Sequence, residues 1–442
     1  MIKINKKEDC CGCGACAQIC PKSCITMSSD NEGFLYPNVD LSICVNCGLC
    51  EKVCVVRHPK DAREPLRVLA AINKNDEVRM KSSSGGIFYI LAEYAINKGG
   101  VVFGARFDEN WQVVLDYSET LEGVKLFMGS KYVQARVENS YKDAKRFLDS
   151  GRFVLFSGTP CQISGLRSFL RKEYANLLTV DLVCHGVPSP KVWVMYLDSI
   201  QNELNSIAGI EFRNKGRGWK NFSFRASSEP DTFLVCVPAA KSHFMKAFLS
   251  DIILRPSCYE CRSKSGRSHS DITLADFWGI ASVFPEMDDD KGTGMVFVNS
   301  QKGVDALDLS MVKYMETSYE KVKPFNTACC SSVSRPVGRD RFFQELDSTD
   351  NLNNLIDSYT KLSLKRKCVG VYHSFWAIMD KCLLRIIGGG KIVDDNSRRR
   401  QFLLSMRILS EIEIVSVNFR DKFAGWGGYG LSVGFKNKFD KR

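Results

Sequence analysis

The stretch from Cys10 to Pro21 reads CCGCGACAQICP, and the stretch from Cys44 to Cys54 reads CVNCGLCEKVC. Each contains four cysteines spaced C-x2-C-x2-C-x3-C. With this spacing three thiolates can bind three corners of one 4Fe–4S cubane, while the fourth thiolate reaches the other cluster. A zinc site needs four ligands in two pairs, so two identical sets of four favour iron–sulfur clusters. The pattern predicts an α+β ferredoxin module of the bacterial type over residues 1–60.

The eight cysteines of the two stretches are divided between two predicted clusters. The first cluster is expected on Cys10, Cys13, Cys16 and Cys54, and the second on Cys44, Cys47, Cys50 and Cys20. Backbone amides can approach the sulfurs at three positions without side chains, namely Gly12, Gly14 and Gly48. Cys11 and Cys24 fall outside the spacing, and we expect them to be bystanders.

After a linker at residues 61–66, the sequence pattern becomes that of an α/β domain. Short apolar runs predict buried strands at Val68–Ile72, Val101–Phe107, Phe153–Phe156 and Leu177–Val183. Two helices are predicted from Ile87 and over Tyr141–Leu148. Two more are predicted at Thr159-Pro160 and Ser189-Pro190, where the Thr or Ser hydroxyl caps the helix and proline is its first residue. Alternation over residues 208–237 predicts antiparallel strands. Residues 341–420 read as mostly helical.

These patterns divide the chain into four predicted parts. The ferredoxin module covers residues 1–60, and the α/β domain covers residues 67–150 and 151–345. A helical C-terminal tail follows at residues 346–442. The predicted fold class is thus a ferredoxin module, then an α/β domain with antiparallel additions, then helices.

A further set of cysteines is scattered along the α/β domain. Cys161 and Cys184 each lie just past the end of a predicted strand, and Cys258 and Cys261 form one C-x2-C pair. Ligands of open α/β sheets bind at the edge where parallel strands end. Cys161 also lies near a helix N-terminus, where the helix dipole favours a thiolate. From the spacing alone, a four-ligand site and a group of buried structural cysteines both remain open.

Seven short motifs occur in a fixed order along the chain. They are SSGG at 83–86, GSKYVQ at 129–134, TPCQ at 159–162, CHG at 184–186, FRNK at 212–215 followed by Gly218-Trp219, the C-x2-C pair at 258–261, and ADFWG at 275–279. As an ordered set they resemble the family of β-subunits of coenzyme F420 hydrogenases and dehydrogenases, over roughly residues 1–340. The resemblance implies FAD beside a third 4Fe–4S cluster. It would place that cluster on Cys161, Cys184, Cys258 and Cys261.

With the resemblance, the SSGG motif becomes a candidate phosphate site for the flavin. Ser83, Ser84, Gly85 and Gly86 open a helix whose first backbone amides can hold a phosphate. A plain helix start with glycine for tight packing is the alternative. Lys131 is either a phosphate contact or a surface lysine.

Two residues are candidates for the chemistry itself. His185 follows Cys184 and is suited to proton transfer near neutral pH, unless it is only a hydrogen-bonded histidine beside the cluster. Lys215, with Trp219, can contact substrate or flavin, or can simply belong to a hairpin turn. Asp276 can be a turn cap.

The motifs together predict an iron–sulfur flavoprotein oxidoreductase. It would exchange electrons with a low-potential donor or acceptor protein, and a hydride with a small-molecule acceptor. The acceptor is either coenzyme F420 or another compound, and a substrate of polysaccharide biosynthesis is one option. The alternative is a non-catalytic electron-transfer subunit that docks on a separate enzyme. A cluster-based redox sensor has no DNA-binding motif to support it.

Charge is concentrated at the C-terminal end of the chain. Residues 361–442 contain 17 Lys and Arg against 7 Asp and Glu, whereas the first 360 residues contain 44 against 43. A nearly neutral body argues against nucleic-acid binding. The basic tail is expected either to dock on an acidic partner or a membrane surface, or to be a solvated helix.

The sequence also predicts a cytoplasmic protein. It has no 18-residue apolar run, and its N-terminus lacks the apolar core of a signal peptide. In a reducing compartment its 19 cysteines are expected to be metal ligands rather than disulfides.

Overall fold

The computed structural model describes residues 1–201, 207–229 and 232–360. The basic residues 361–442, for which a helical docking tail was predicted, lie outside the described residues. The predicted order of a ferredoxin module followed by an α/β domain with antiparallel additions is confirmed. No helix in the described ranges combines the length and apolarity needed to cross a membrane.

Thirteen strands occur in the described ranges. They are β1 (Ile25–Ser29), β2 (Leu35–Val39), β3 (Arg67–Asn73), β4 (Val101–Phe107), β5 (Val113–Ser118), β6 (Val154–Gly158), β7 (Leu177–Leu182), β8 (Gly209–Asn214), β9 (Ser223–Glu229), β10 (Thr232–Pro238), β11 (Ile272–Asp276), β12 (Gly294–Val298) and β13 (Val312–Thr317). The predicted strands from Val68 to Val183 all appear, although the strand predicted at Phe153–Phe156 extends to Gly158.

Fourteen α-helices are described. They are α1 (Ala15–Ile19), α2 (Leu49–Lys52), α3 (Asp76–Lys81), α4 (Ile87–Asn97), α5 (Leu121–Val124), α6 (Ser140–Asp149), α7 (Pro160–Leu170), α8 (Pro190–Gln201), α9 (His243–Leu249), α10 (Ile280–Val283), α11 (Gln301–Ala306), α12 (Tyr319–Val322), α13 (Arg339–Leu346) and α14 (Leu352–Thr360). As predicted, Thr159 caps α7, in a capping box with Gln162, and Pro160 is its first residue.

The ferredoxin module consists of the β1–β2 hairpin and two short helices. Both α1 and α2 begin after a glycine with positive φ, +72° at Gly14 and +74° at Gly48. A side chain disfavours this left-handed conformation, so glycine lets the chain turn sharply between cysteines. The repeated local geometry follows from the repeated C-x2-C-x2-C-x3-C spacing.

The central sheet has eight strands in the order β13-β3-β12-β11-β7-β6-β4-β5. β4, β6, β7 and β11 are parallel neighbours, and all other pairs in this sheet are antiparallel. Alternate residues of β4 and β6 pack on opposite faces: Val102 and Leu155 face α4, whereas Phe103 and Phe156 face α6 and α7. A separate sheet of β8, β9 and β10 packs with α8 and α9.

Both parts of the predicted α/β domain contribute to one sheet, since strands from residues 67–150 and from residues 151–345 alternate within the central sheet. The start of the helical tail at residue 346 stays a prediction. Within the predicted tail, Leu352, Leu355 and Ile356 of α14 are buried in the core cluster that contains α8 and α9, a contact that an amphipathic helix pattern does not locate.

The ferredoxin module is anchored to the α/β domain by buried polar contacts. Arg339 donates to Glu32 at 2.6 Å, and the Tyr141 amide donates to Gln18 at 3.0 Å. Residues 1–60 belong to the same compact unit as the rest of the described chain. The contacts fix the cysteine-rich loops against the edge of the central sheet.

Candidate iron–sulfur and cofactor site

The first cysteine set lies where the ferredoxin module meets the α/β domain. Cys16 is half-buried and lies near Cys10 and Cys54. Loss of water, followed by these neighbouring thiols, raises the pKa of Cys16 to about 12. The Gly12 amide donates to the Cys10 sulfur at 3.4 Å. The structure thus brings Cys54 beside the first stretch, which the crossed ligand pattern requires.

The second set lines a small cavity of its own. Cys20, Cys44, Cys47 and Cys50 all face this space. The Ile2 amide donates to the Cys50 sulfur at 3.1 Å. Cys24, expected to be a bystander, also lines the cavity, and its sulfur lies 3.3 Å from that of Cys20.

The third set comes together at the carboxyl edge of the parallel strands. Cys161 lies in the first turn of α7, after β6, and Cys184 follows the adjacent strand β7. The Val187 amide donates to the Cys258 sulfur at 3.4 Å. Burial, then the thiols of Cys261 and Cys161, raise the pKa of Cys258 to about 12. Four thiols separated in sequence by up to 100 residues therefore share one buried region.

Ionising these thiols costs free energy unless a positive charge compensates for the thiolates. Metal binding requires thiolates, and burial beside other thiols opposes their formation. A four-iron cubane binds four thiolates, one at each corner. The third set brings four thiols together, so the chemistry of its donor set fits such a cluster.

Cys11 belongs to this region as well, although its spacing marked it as a bystander. It lines the large cavity described below, and its thiol faces those of Cys13 and Cys161. Helix α7 packs closely here, because a Cβ atom on Gly165 would lie 3.2 Å from the Cys13 sulfur. The loop from Cys10 to Cys13 therefore connects the first and third cysteine sets. Only tertiary contacts reveal this, since Cys11 and Cys161 are 150 residues apart.

A cavity of about 730 Å³ opens at the carboxyl edge of β6, β7 and β11. This volume is within the range of small-molecule and cofactor sites. Eight of the predicted site residues line it: Ser83, Ser84, Gly85, Gly86, Lys131, Cys161, Cys184 and His185. Motifs separated by a hundred residues thus face one space.

The SSGG loop is held tightly against the sheet. A Cβ atom on Gly85 would lie 2.3 Å from the Ala71 carbonyl oxygen and 2.5 Å from the Gly294 nitrogen. Ser84 donates to the Thr293 carbonyl at 2.8 Å, and Ser83 shares a 2.8 Å hydrogen bond with Ser130 of the GSKYVQ motif. The tight-packing alternative therefore describes Gly85 correctly. It does not compete with ligand binding, because the same loop opens α4 and lines the cavity.

Four cations at or near the cavity have no acidic partner. Within the described residues, Lys131, Lys215, Arg255 and Lys264 form no ion pair, and the last three are at most 5% exposed. Lys264 donates to the carbonyls of Cys184, at 2.5 Å, and Ala328, at 2.7 Å. By contrast, the buried arginines Arg79 and Arg339 each bind a carboxylate. Buried charge is costly without a counter-charge, so these cations favour an anionic occupant.

The ammonium groups of Lys131 and Lys215 are already hydrogen-bonded. Lys131 donates to the Leu126 and Met128 carbonyls, both at 2.8 Å, and loss of water in the cavity wall lowers its pKa to about 7. Lys215 does not line the cavity but donates to three carbonyls, those of Arg79, Ser84 and Lys291. Its position supports the SSGG loop, and its predicted catalytic role stays a prediction.

The FRNK and ADFWG motifs meet in a second wall of the cavity. Arg213 donates two hydrogen bonds to Asp276, at 2.8 and 3.1 Å, so Asp276 does more than cap a turn. Trp219 is buried, donates to Asp276 at 3.0 Å and stacks on Trp278 at 4.9 Å between ring centroids. Trp278, rather than Trp219, faces the cavity with Arg213. The pairing of Arg213 with Asp276 has no local sequence signal.

His185 faces the cavity beside Cys184 and has an acidic partner. Its Nε2 lies 2.5 Å from Asp251 Oδ1, and its ring packs edge-on against Phe248. A carboxylate at this distance orients the imidazole and favours a proton on Nε2. His185 can therefore hold or move a proton at the cavity wall.

Two family models match the chain. Residues 9–57 match the 4Fe-4S dicluster domain, and residues 151–323 match the carboxyl-terminal part of the beta subunit of coenzyme F420 hydrogenase/dehydrogenase. The resemblance predicted from the ordered motifs is confirmed over these two regions. The N-terminal region is thus similar to 4Fe–4S dicluster domains, which supports iron–sulfur clusters there.

Curated relatives match parts of the chain. The F subunit of F(420)H(2) dehydrogenase from Methanosarcina mazei is 25% identical over 236 residues, which are 50% of this chain and 66% of that protein. The coenzyme F420-dependent sulfite reductase of Methanocaldococcus jannaschii is 25% identical over 206 residues, 44% of this chain and 31% of that protein. The chain therefore spans less than two thirds of each relative.

Among solved structures, the F420-reducing NiFe hydrogenase complex of Methanosarcina barkeri contains a similar chain. The alignment covers 68% of this chain and 92% of that chain, with 19% sequence identity and a TM-score of 0.42.

Proposed function

We propose that this chain is an iron–sulfur flavoprotein oxidoreductase. Two matched regions support the proposal, one similar to a two-cluster ferredoxin and one similar to the β-subunit of F420 hydrogenases and dehydrogenases. The protein exchanges electrons with a partner protein and a hydride with a small-molecule acceptor, for which coenzyme F420 is the first candidate. The cofactors are two 4Fe–4S clusters in the ferredoxin region, a third on Cys161, Cys184, Cys258 and Cys261, and FAD.

One observation carries this proposal: Cys161 and Cys184 line the same large cavity as the SSGG loop, near cations that lack acidic partners within the described residues. Cys258 and Cys261 do not line the cavity but lie close to Cys184. A thiolate-bound cluster and a flavin pyrophosphate are both anionic. Arg255 and Lys264 lie near the thiols, and Lys131 is in the cavity wall. The charge and volume of the site therefore support both groups in this proposal.

The three cysteine sets are also ordered in space. The second set lies on its own cavity in the ferredoxin module, the first lies at the contact with the α/β domain, and Cys11 connects the first to the third. When bound, the clusters exchange single electrons and the flavin pairs them for hydride transfer. His185, oriented by Asp251, is placed to supply the accompanying proton at the cavity wall.

The test is whether the chain alone completes hydride transfer. Anaerobic protein with its flavin is reduced with dithionite, freed of excess reductant and mixed with coenzyme F420. We expect reoxidation of the flavin together with loss of the visible absorbance of F420. The same experiment is repeated with NAD⁺ in place of F420. Reoxidation of the flavin by F420 but not by NAD⁺ would indicate a site specific for deazaflavins, whereas reoxidation by both would indicate a general hydride-transfer site.

A non-catalytic electron-transfer subunit is the second candidate, favoured by the relative that is itself named a subunit. Under that hypothesis the protein would hold its iron but no flavin, or its flavin would react with no soluble acceptor. Either result would remove the oxidoreductase assignment and leave the electron carrier.

Replacing Gly85 with alanine should reduce flavin binding. The new Cβ would lie 2.3 Å from the Ala71 oxygen, so the SSGG loop must move away from β3 and β12. We expect a loss of about 1–3 kcal/mol in the free energy of unfolding, as for an overpacked core, and a lower flavin content. Both are measured on the purified variant, by denaturation and by absorbance.

Gly303→Ala is the matched control for this variant. Its Cβ would lie 2.5 Å from the Asp271 oxygen, a similarly tight contact at a position that does not line the cavity. We expect comparable destabilisation with unchanged flavin content. Equal flavin loss in both variants would mean that the SSGG loop has no specific role.

A further inference from the structure

Three aliphatic side chains are exposed close together in the sequence of the ferredoxin module. Leu41 is 66% exposed, Ile43 49% and Val45 59%. They occupy alternate positions in one short loop that contains Cys44 and leads to Cys47. Clustered exposed aliphatic residues are unusual on a soluble surface and mark contact sites. We call these three residues the outer patch.

The outer patch reaches the second cysteine set through Val45. Val45 lines the same small cavity as Cys20, Cys44, Cys47 and Cys50, and Cys47 is exposed. The first set is instead buried against the α/β domain through Arg255, Gln134 and Gln18. Of the three cysteine sets, the second is therefore the one that a partner protein can approach.

Three lysines lie on the segments that form the second cysteine site: Lys3 follows Ile2, whose amide donates to Cys50, and Lys52 shares α2 with Cys50, while Lys22 is the third. Lys3, Lys22 and Lys52 are exposed, and within the described residues they form no ion pair. Lys22 lines the second-set cavity. The nearby Glu51 is already neutralised by the N-terminal ammonium and Arg57, while Asp40 binds the Ser42 hydroxyl and amide. Hydrogen bonds do not neutralise a carboxylate, so Asp40 keeps its charge next to Leu41. The three unpaired lysines outnumber this one acid.

We propose that the outer patch is the docking site of a one-electron carrier protein with an acidic rim around an apolar contact face. This inference rests on the proposed function, because it identifies the partner that exchanges electrons with the second cluster. An aliphatic centre supplies the contact energy, and the lysine rim steers an acidic carrier into place. An electron acceptor without a matching face would gain neither contribution.

Full-length anaerobic protein is tested with an acidic two-cluster ferredoxin as the probe. The variant combines Leu41→Ser, Ile43→Ser and Val45→Ser. We expect the Kd for the ferredoxin, measured by calorimetry, to rise at least about tenfold, since the most important contact residues of an interface each contribute more than about 1 kcal/mol. The rate of cluster reduction by ferredoxin should fall, while reduction by dithionite stays unchanged.

The control variant combines Leu126→Ser, Met311→Ser and Val337→Ser, which are 61%, 42% and 105% exposed and lie outside the ferredoxin module. It should leave the Kd unchanged. A second variant, Lys22→Glu with Lys52→Glu, should weaken binding and reduce its salt dependence. Both variants are compared at equal iron content, which separates docking from cluster loss.

Three results would overturn the docking proposal: an unchanged Kd in the outer-patch variant, patch-dependent binding to anionic phospholipid vesicles without ferredoxin binding, or a patch-dependent dimer of this chain. The outcome is independent of the flavin. Patch-dependent ferredoxin binding by a protein that holds no flavin would retain the docking site and reject the oxidoreductase assignment.

Discussion

Anaerobically purified protein should contain about twelve iron atoms and one FAD per chain, and the Cys258→Ser plus Cys261→Ser variant about eight iron atoms. The expected loss equals one cubane, because these two residues supply half the thiols of the third set. Iron, acid-labile sulfide and flavin are measured together. Both dicluster stretches remain intact in the variant, so their eight iron atoms should stay.

The matched control is Cys329→Ser plus Cys330→Ser. These thiols form another closely spaced pair in the same domain, and Cys329 shares a hydrogen bond with Tyr319. We expect their replacement to leave the iron content at about twelve. Eight iron atoms in every protein, including the unmodified chain, would eliminate the third cluster.

Replacing Arg255 with methionine should destabilise the contact between the ferredoxin module and the α/β domain. Arg255 is completely buried and donates to the carbonyls of Cys10 and Leu35, both at 2.9 Å, and to the Gln134 side chain at 3.0 Å. Each buried acceptor left without a donor costs about 1–3 kcal/mol, so we expect the free energy of unfolding to fall by about 3 kcal/mol or more. The shift in thermal or denaturant unfolding measures it.

The same variant should change the redox chemistry. Arg255 has no carboxylate partner in the described part of the chain, and its charge faces Cys10 and Cys258. Removing a cation beside anionic clusters disfavours reduction, so their reduction potentials should become more negative in an EPR-monitored titration. Arg255→Lys keeps the positive charge but loses the planar guanidinium with its fixed set of donors. We expect this variant to be less stable, with reduction potentials close to those of the unmodified protein.

Arg262→Met is the control for Arg255. Arg262 also reaches the ferredoxin module, but it is exposed and donates a single hydrogen bond to the Val56 carbonyl at 2.8 Å. We expect its effect on stability to stay within about 1 kcal/mol. Equal effects of Arg255→Met and Arg262→Met on both stability and potentials would contradict a special role of the buried guanidinium.

Much of the fold could be read from local patterns. The strands from Val68 to Leu182 and the capped start of α7 follow from short apolar runs, Thr159 and Pro160, which act over a few residues. The packing of α14 on the core could not be read from the sequence, because a helical pattern does not show what the helix packs against. The candidate site was found partly from strand ends, since Cys161 and Cys184 follow neighbouring parallel strands.

The sequence by itself determined the two ferredoxin cysteine sets, because each stretch spans only about eleven residues and local spacing dictates which thiols can share a cubane. Only the tertiary structure decided that Cys11 faces Cys161, that Arg213 binds Asp276, and that Arg255 lies between two cysteine sets with no acidic partner among the described residues. These contacts join residues about 60 to 250 positions apart. Their energy depends on burial and on which charges remain unpaired, and neither is fixed until the chain has folded.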